Sequence, residues 1–146
     1  MADGTTPGSA LSAFGANAPG KLEKSMQPLH VLVVEDDAMI STVLAEMLTE
    51  MGHAVDGIES TEATAIAAAH RLKPQLMIVD VGLLEGSGVA AMEVILRAGP
   101  QPHVFMSGDI SRVKALRPGA VTLQKPFREL DLYRAIRRAV GAETVW

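Results

Sequence analysis

The sequence predicts an α/β fold built on one doubly wound parallel sheet. Three observations carry this reading. Five short strand-like runs alternate with helical stretches from Leu29 onward. The strongest runs are continuously apolar, as strands covered on both faces are. The segments between them repeat large apolar residues at helical spacing on one face. Such alternation places helices on both sides of a parallel sheet.

Taken in order, Leu29-His30-Val31-Leu32-Val33-Val34 is the first strand and stops at Glu35-Asp36-Asp37. Ile40, Val43, Leu44, Met47, Leu48 and Met51 then mark one face of a helix. Gly52 suits its C-terminal cap. Residues 54–58 form a short, poor strand with Asp56 and Gly57 inside it. Residues 61–72 are an Ala-rich helix, with Pro74 beyond its end. Leu76-Met77-Ile78-Val79 is the second strong run and stops at Asp80. Gly82, Gly86 and Gly88 punctuate a loop before a helix over 89–98, which Gly99-Pro100 ends. Val104-Phe105-Met106 stops at Ser107, and 108–119 is a short connection. Residues 120–124 lead to Lys125, and 127–140 form the last helix, with Pro126 suited to its first turn. The second and fifth strands are the least apolar and are therefore the edges. This gives the flavodoxin-like order 2-1-3-4-5.

Composition narrows the function. Residues 29–141 are long enough for one domain with a sizeable core. Hydrophobic residues make up 48% and aromatics only 3%, so that core is aliphatic. The net charge of −4 disfavours nucleic acid as the main partner. With no Cys, disulfides and thiolate metal sites are excluded, and the four His show no ligand spacing. No apolar run approaches the roughly 20 residues that span a bilayer. The N-terminus has no secretory pattern, so a cytoplasmic location is expected. Seventeen of residues 1–28 are Ala, Gly, Ser, Thr or Pro, which predicts a flexible leader. Residues 142–146 read as a short tail.

Parallel strands bring their carboxyl ends to one edge, where open α/β sheets bind ligands. That edge collects Glu35, Asp36, Asp37, Asp80, Ser107 and Lys125. Acids before a helix commonly cap it, and Asp37 fits that role. Three consecutive acids, with Asp80 arriving beside them, exceed it. Like charges within roughly 5 Å repel by about 3 kcal/mol at an effective dielectric near 20. Such a cluster needs a counter-charge, and Mg²⁺ with oxygen ligands is the natural one. A carboxylate before a Gly-rich loop can act as a nucleophile and form an acyl phosphate. Ser107, followed by Gly108, can donate to a phosphoryl oxygen. Lys125, kept extended by Pro126, can reach across the pocket.

Together these residues resemble the receiver domain of two-component response regulators. The resemblance covers about residues 29–141. Its marks are Val33-Val34-Glu35-Asp36-Asp37, Asp80, Gly88 eight residues later, Ser107 and Lys125-Pro126-Phe127. It implies that Asp80 is the phosphoacceptor, and that Glu35, Asp36 and Asp80 hold Mg²⁺ with the backbone carbonyl of Gly82. It implies that Ser107 follows the phosphoryl group and that Lys125 is the family's lysine. Asp109, with Gly82, would modulate hydrolysis of the acyl phosphate. The implied partners are a sensor histidine kinase or histidine phosphotransferase and a downstream protein, with no direct nucleic acid or membrane contact. The chain would catalyse only its own phosphotransfer and dephosphorylation.

Three departures stand out. Leu84 occupies a position where receivers commonly carry proline. Thr122 stands where an aromatic switch residue is usual. The interval from Ser107 to Lys125 is short, so the fourth helix is expected to be shortened or irregular. Val104-Phe105-Met106-Ser107-Gly108 is similar to the "FAT GUY" subgroup, whose members are often stand-alone receivers served by HWE or related kinases. Here Met106 replaces the motif's Ala and Ser107 its Thr. Arg128, Arg134, Arg137 and Arg138 give the last helix a basic face, either solvated or suited to an acidic partner. Two rival functions stand beside the switch. One is an adaptor independent of phosphorylation. The other is a Toprim-type metal-dependent nucleic-acid enzyme, which wants an Asp-x-Asp pair where this chain has Asp80-Val81-Gly82.

Overall fold

The computed structural model describes residues 27–141. The expected leader, apart from its last two residues, and the tail at 142–146 lie outside the described residues. Ten elements follow one another: β1 His30–Val34, α1 Ala38–Glu50, β2 Ala54–Glu59, α2 Glu62–Leu72, β3 Leu76–Asp80, α3 Gly88–Leu96, β4 His103–Ser107, α4 Ile110–Leu116, β5 Thr122–Gln124 and α5 Glu129–Val140. The five strands form one sheet in the order β2-β1-β3-β4-β5, every neighbouring pair parallel. This is the predicted order, with the least apolar strands at the edges.

Alternation along each strand sorts the core into two layers. Val31 and Val33 of β1, Leu76 and Ile78 of β3, and Val104 and Met106 of β4 pack with Leu44, Leu48, Leu132 and Ile136, so α1 and α5 cover one face. Leu32, Val34, Met77, Val79 and Phe105 point the other way, onto Ala65, Ala68, Ala91, Met92 and Val113 of α2, α3 and α4. Alanines on the α2 face let that helix lie close to the sheet.

Several boundaries differ from the sequence reading, each for a local reason. β2 runs to Glu59, and its pairing with β1 slips between Val31 and Leu32. The β1 partners step from Val55 to Gly57, so Asp56 is the extra residue of a bulge. α5 begins at Glu129 and not at 127, so Pro126 lies outside its first turn. The chain bends at Lys125–Pro126, a cis bond, and Arg128 is extended, its amide donating to the Asp131 carboxylate at 2.9 Å just before the helix starts. The 108–119 connection holds a seven-residue α4, a shortened fourth helix as expected. Gly52 has φ +97°, the left-handed conformation that a residue just past a helix end needs.

Gly88 at the start of α3 is required by space. A Cβ there would overlap the carbonyl oxygen of Asp80 and crowd Val79 Cγ1. Both partners belong to the buried central strand, so neither yields cheaply. Gly88→Ala is expected to destabilise the fold by about 2–3 kcal/mol, the upper part of the overpacking range. Denaturant unfolding measures this directly; a loss under about 0.5 kcal/mol would contradict the contact.

A pH response is also built into this core. His53 is buried, its Nδ1 accepts the Leu29 amide at 3.0 Å, and its Nε2 has no hydrogen-bond partner. Burial holds its pKa below the ordinary histidine value. His103 is lowered as well, by burial first and by the nearby Arg117 charge. The folded protein therefore binds these protons less readily than the unfolded chain. Stability is full above the unfolded histidine value of about 6.5 and falls as pH drops below it. Melting temperatures should decline by several degrees from about pH 7.5 to about pH 5.5, and less in His53→Asn.

Candidate functional site

The predicted residues meet at the carboxyl edge of the sheet. Glu35 directly follows β1 and Asp80 closes the adjacent β3. Ser107 closes β4, and Lys125 directly follows β5. Each stands where a strand ends, so the strand fixes the position and leaves the side chain at the rim. Asp80 is 6% exposed, Glu35 2% and Ser107 8%.

Lys125 ties the site together. Its Nζ donates to Glu35 Oε1 and to Asp80 Oδ2, both at 3.0 Å. The remaining Asp80 oxygen, Oδ1, accepts the Gly82 amide at 3.2 Å. Glu35 Oε2 accepts the Asp37 amide at 3.0 Å. Asp37 itself caps α1, accepting from the amides of Met39 and Ile40, which is the role expected for it. Burial pushes the Glu35 carboxyl above its ordinary pKa. The Asp37 amide and Lys125 pull against that shift, and Asp80 adds to it. For Lys125, burial opposes the charge, but the hydrogen bonds to Asp80 and Glu35 prevail and raise its pKa.

Asp80, Gly82, Ser107, Asp109 and Lys125 share one cavity of about 670 Å³ between α3 and α4. Ser107 Oγ accepts the Asp109 amide at 3.0 Å, and its carbonyl accepts the Lys125 amide at 2.8 Å. Asp109 is exposed and caps α4 through Ser111. The Ser111 hydroxyl bond comes first among the causes that lower its pKa. Thr122 is half-buried beside Phe105 in the β4–β5 ladder. It lines a separate cavity of about 400 Å³ with Asp131, Arg134 and Arg138.

The sequence pattern of the response regulator receiver domain matches residues 31–137. The chain belongs to the response regulator receiver family. This receiver is 36% identical over 118 residues to the transcriptional regulatory protein PdtaR of Mycobacterium tuberculosis, a match covering 78% of this chain and 58% of PdtaR. It is 29% identical over 115 residues to the phyllosphere-induced regulator PhyR of Methylorubrum extorquens, covering 76% of this chain and 43% of that one. The crystal structure of the response regulator PhyR from Brucella abortus superposes with a TM-score of 0.77 at 27% identity, over 88% of this chain and 54% of that one. The receiver thus spans about half the length of these relatives. Among the described residues, no helix is long and apolar enough to cross a membrane.

Receivers bind Mg²⁺ in general, and the donor set here fits such an ion. Glu35, Asp36 and Asp80 each bring a carboxylate oxygen to within 4.8 Å of the others. All three are hard oxygen donors. Three carboxylates face one ammonium, so a surplus of negative charge remains for a cation to neutralise.

The structure adds contacts that the sequence does not announce. Asp36 Oδ2 accepts the Leu84 amide at 2.6 Å. Glu62, the first residue of α2, accepts the Ser87 amide on Oε1 at 3.0 Å. In the sequence it reads only as a favourable acid at a helix start. Gln124 donates through Nε2 to the carbonyl oxygens of Gly108 and Lys125, which staples β5 to the loop before α4. Its sequence signal is nil, since it reads as one more strand residue.

Proposed function

We propose that this receiver is a phosphoacceptor switch of two-component signalling that takes a phosphoryl group onto Asp80. The observation that carries this is Asp80 itself. It is a buried carboxylate at the end of the central strand, paired with Lys125 and opening onto the cavity that Ser107 also lines. In the reaction an Asp80 carboxylate oxygen attacks the phosphorus of a phosphohistidine. The O–P bond forms as the N–P bond breaks, and the imidazole leaves with a proton. Little protein chemistry is needed beyond positioning and charge neutralisation.

Glu35 and Asp36 would hold the cation with Asp80 and the Gly82 carbonyl. Bound Mg²⁺ would offset charge on the phosphoryl oxygens. Lys125 offsets charge from the other side by keeping its ammonium at Asp80. Once the phosphoryl group is in place, the Ser107 hydroxyl turns toward it. This draws on the Ser107–Asp109 turn and hence on α4, a local charge change acting on a small element. Asp109 modulates hydrolysis by where it stands at the cavity mouth. With Thr122 in place of an aromatic, the signal leaves through the 108–122 segment.

The donor in this reading is a histidine kinase, of HWE type if the FAT GUY likeness extends to function, or a histidine phosphotransferase. The readout is a protein that docks on the phosphorylated form, and the receiver works in the cytoplasm. A phosphotransfer profile against the host's phosphorylated histidine kinases tests this. One kinase should label the wild type within seconds in the presence of Mg²⁺. Failure of every kinase and of small phosphodonors would favour an adaptor that works without phosphorylation.

A further inference from the structure

The loop of residues 81–87 lies between Asp80 and α3, and it is fastened on both flanks. On the inner flank the Leu84 amide donates to Asp36 Oδ2. At 2.6 Å this is a short, charge-assisted bond. The Leu84 side chain is 87% exposed, so packing does not hold the residue there. On the outer flank the Glu62 carboxylate accepts the Ser87 amide, and the Glu62 amide donates to the Glu85 carbonyl at 3.0 Å. Gly86, at φ +89°, presses its backbone on the Glu62 side chain, where a Cβ would collide. Glu62 therefore sets where the loop runs, and the loop sets where the Leu84 amide points.

We propose that Glu62 is a positioning residue for the cation ligand Asp36, acting through the backbone of residues 84–87. The inference rests on the reading of Glu35, Asp36 and Asp80 as a cation site. A carboxylate that ligates a metal through one oxygen is oriented by what its other oxygen accepts. Here that partner is the Leu84 amide. Glu62 is not one of the three carboxylates that gather at the cation site, and it reaches them only through the loop.

The test is Mg²⁺ affinity, measured by calorimetric titration of the whole chain. Glu62→Ala is expected to weaken Mg²⁺ binding about tenfold, the lower end of the effect of removing such supporting partners. Glu62→Gln keeps an oxygen for the Ser87 amide and should restore most of the affinity, which a purely electrostatic role would not allow. Leu84→Pro removes the amide proton and should weaken binding similarly, while Leu84→Ala keeps it and should bind like wild type. This second pair tests the link from the loop to Asp36 even if Glu62→Ala fails to fold, and wild-type affinity in a folded Glu62→Ala overturns the role of Glu62. Wild-type affinity in Leu84→Pro, or equal loss in Leu84→Pro and Leu84→Ala, overturns the proposal. Absence of any Mg²⁺ binding by the wild type overturns the cation reading itself, and the proposal with it.

Discussion

Asp80→Asn is expected to abolish phosphoryl uptake. Wild-type protein incubated with acetyl phosphate and Mg²⁺ should gain the mass of one phosphoryl group, and the variant should gain none. The substitution is nearly isosteric. The carboxamide it introduces keeps an oxygen that can accept the Gly82 amide, so a lost reaction would not reflect a lost fold. Neighbouring carboxylates are poor substitutes. Glu35 is 2% exposed and pinned by Asp37 and Lys125. Asp36 is engaged by Leu84. An amide is also far less nucleophilic than a carboxylate, so the expected change is loss to background. Undiminished labelling of Asp80→Asn would remove Asp80 as the acceptor.

Lys125→Met should carry the largest stability effect at the site. This ammonium is the shared partner of Glu35 and Asp80, with 19% of its own side chain exposed. Removing one member of a buried ion pair costs about 3–5 kcal/mol, because the partner charge is left behind. Partial exposure of the lysine brings the expected loss to about 2–3 kcal/mol, or roughly 10 °C in melting temperature for a domain of this size. Mg²⁺ binds only the folded site, so it should stabilise the variant by a wider margin than the wild type. The reverse order would mean that Lys125 does not stand in for the cation. Asp36→Asn makes the complementary case. It lowers the negative surplus while keeping an oxygen for Leu84, so in chelator it should melt higher than wild type.

Strand order and site position were legible because they rest on the same signal. Val31–Val34, Leu76–Val79 and Val104–Met106 are apolar without interruption, and the first polar residue after each run marks the rim. Glu35, Asp80 and Ser107 could therefore be placed without knowing a single contact. Helix starts near proline were less readable. Pro126 fits a first helical turn by its φ, yet the helix begins only at Glu129, after an extended Arg128. The bulge at Asp56 showed in the sequence only as a poor strand, with Asp56 and Gly57 inside it, and not as an extra residue. Least visible were bonds between side chains and distant amides. Leu84 and Asp36 are 48 residues apart, and an amide carries no residue identity. Glu62 shows the same problem, because a helix-start acid looks identical whether it serves its own helix or a neighbouring loop.

The absence of a side chain at Gly88 has a mechanical consequence. Backbone meets backbone there, with the start of α3 seated against the Asp80 carbonyl. One bank of the pocket is therefore stiff, and it cannot drift without carrying the central strand along. The opposite bank is α4, a helix of seven residues with only Val113 buried. If Asp80 takes the phosphoryl group as proposed, the added charge would move the compliant bank first. A partner that gripped α4 would then sense the site while one that gripped α3 would not.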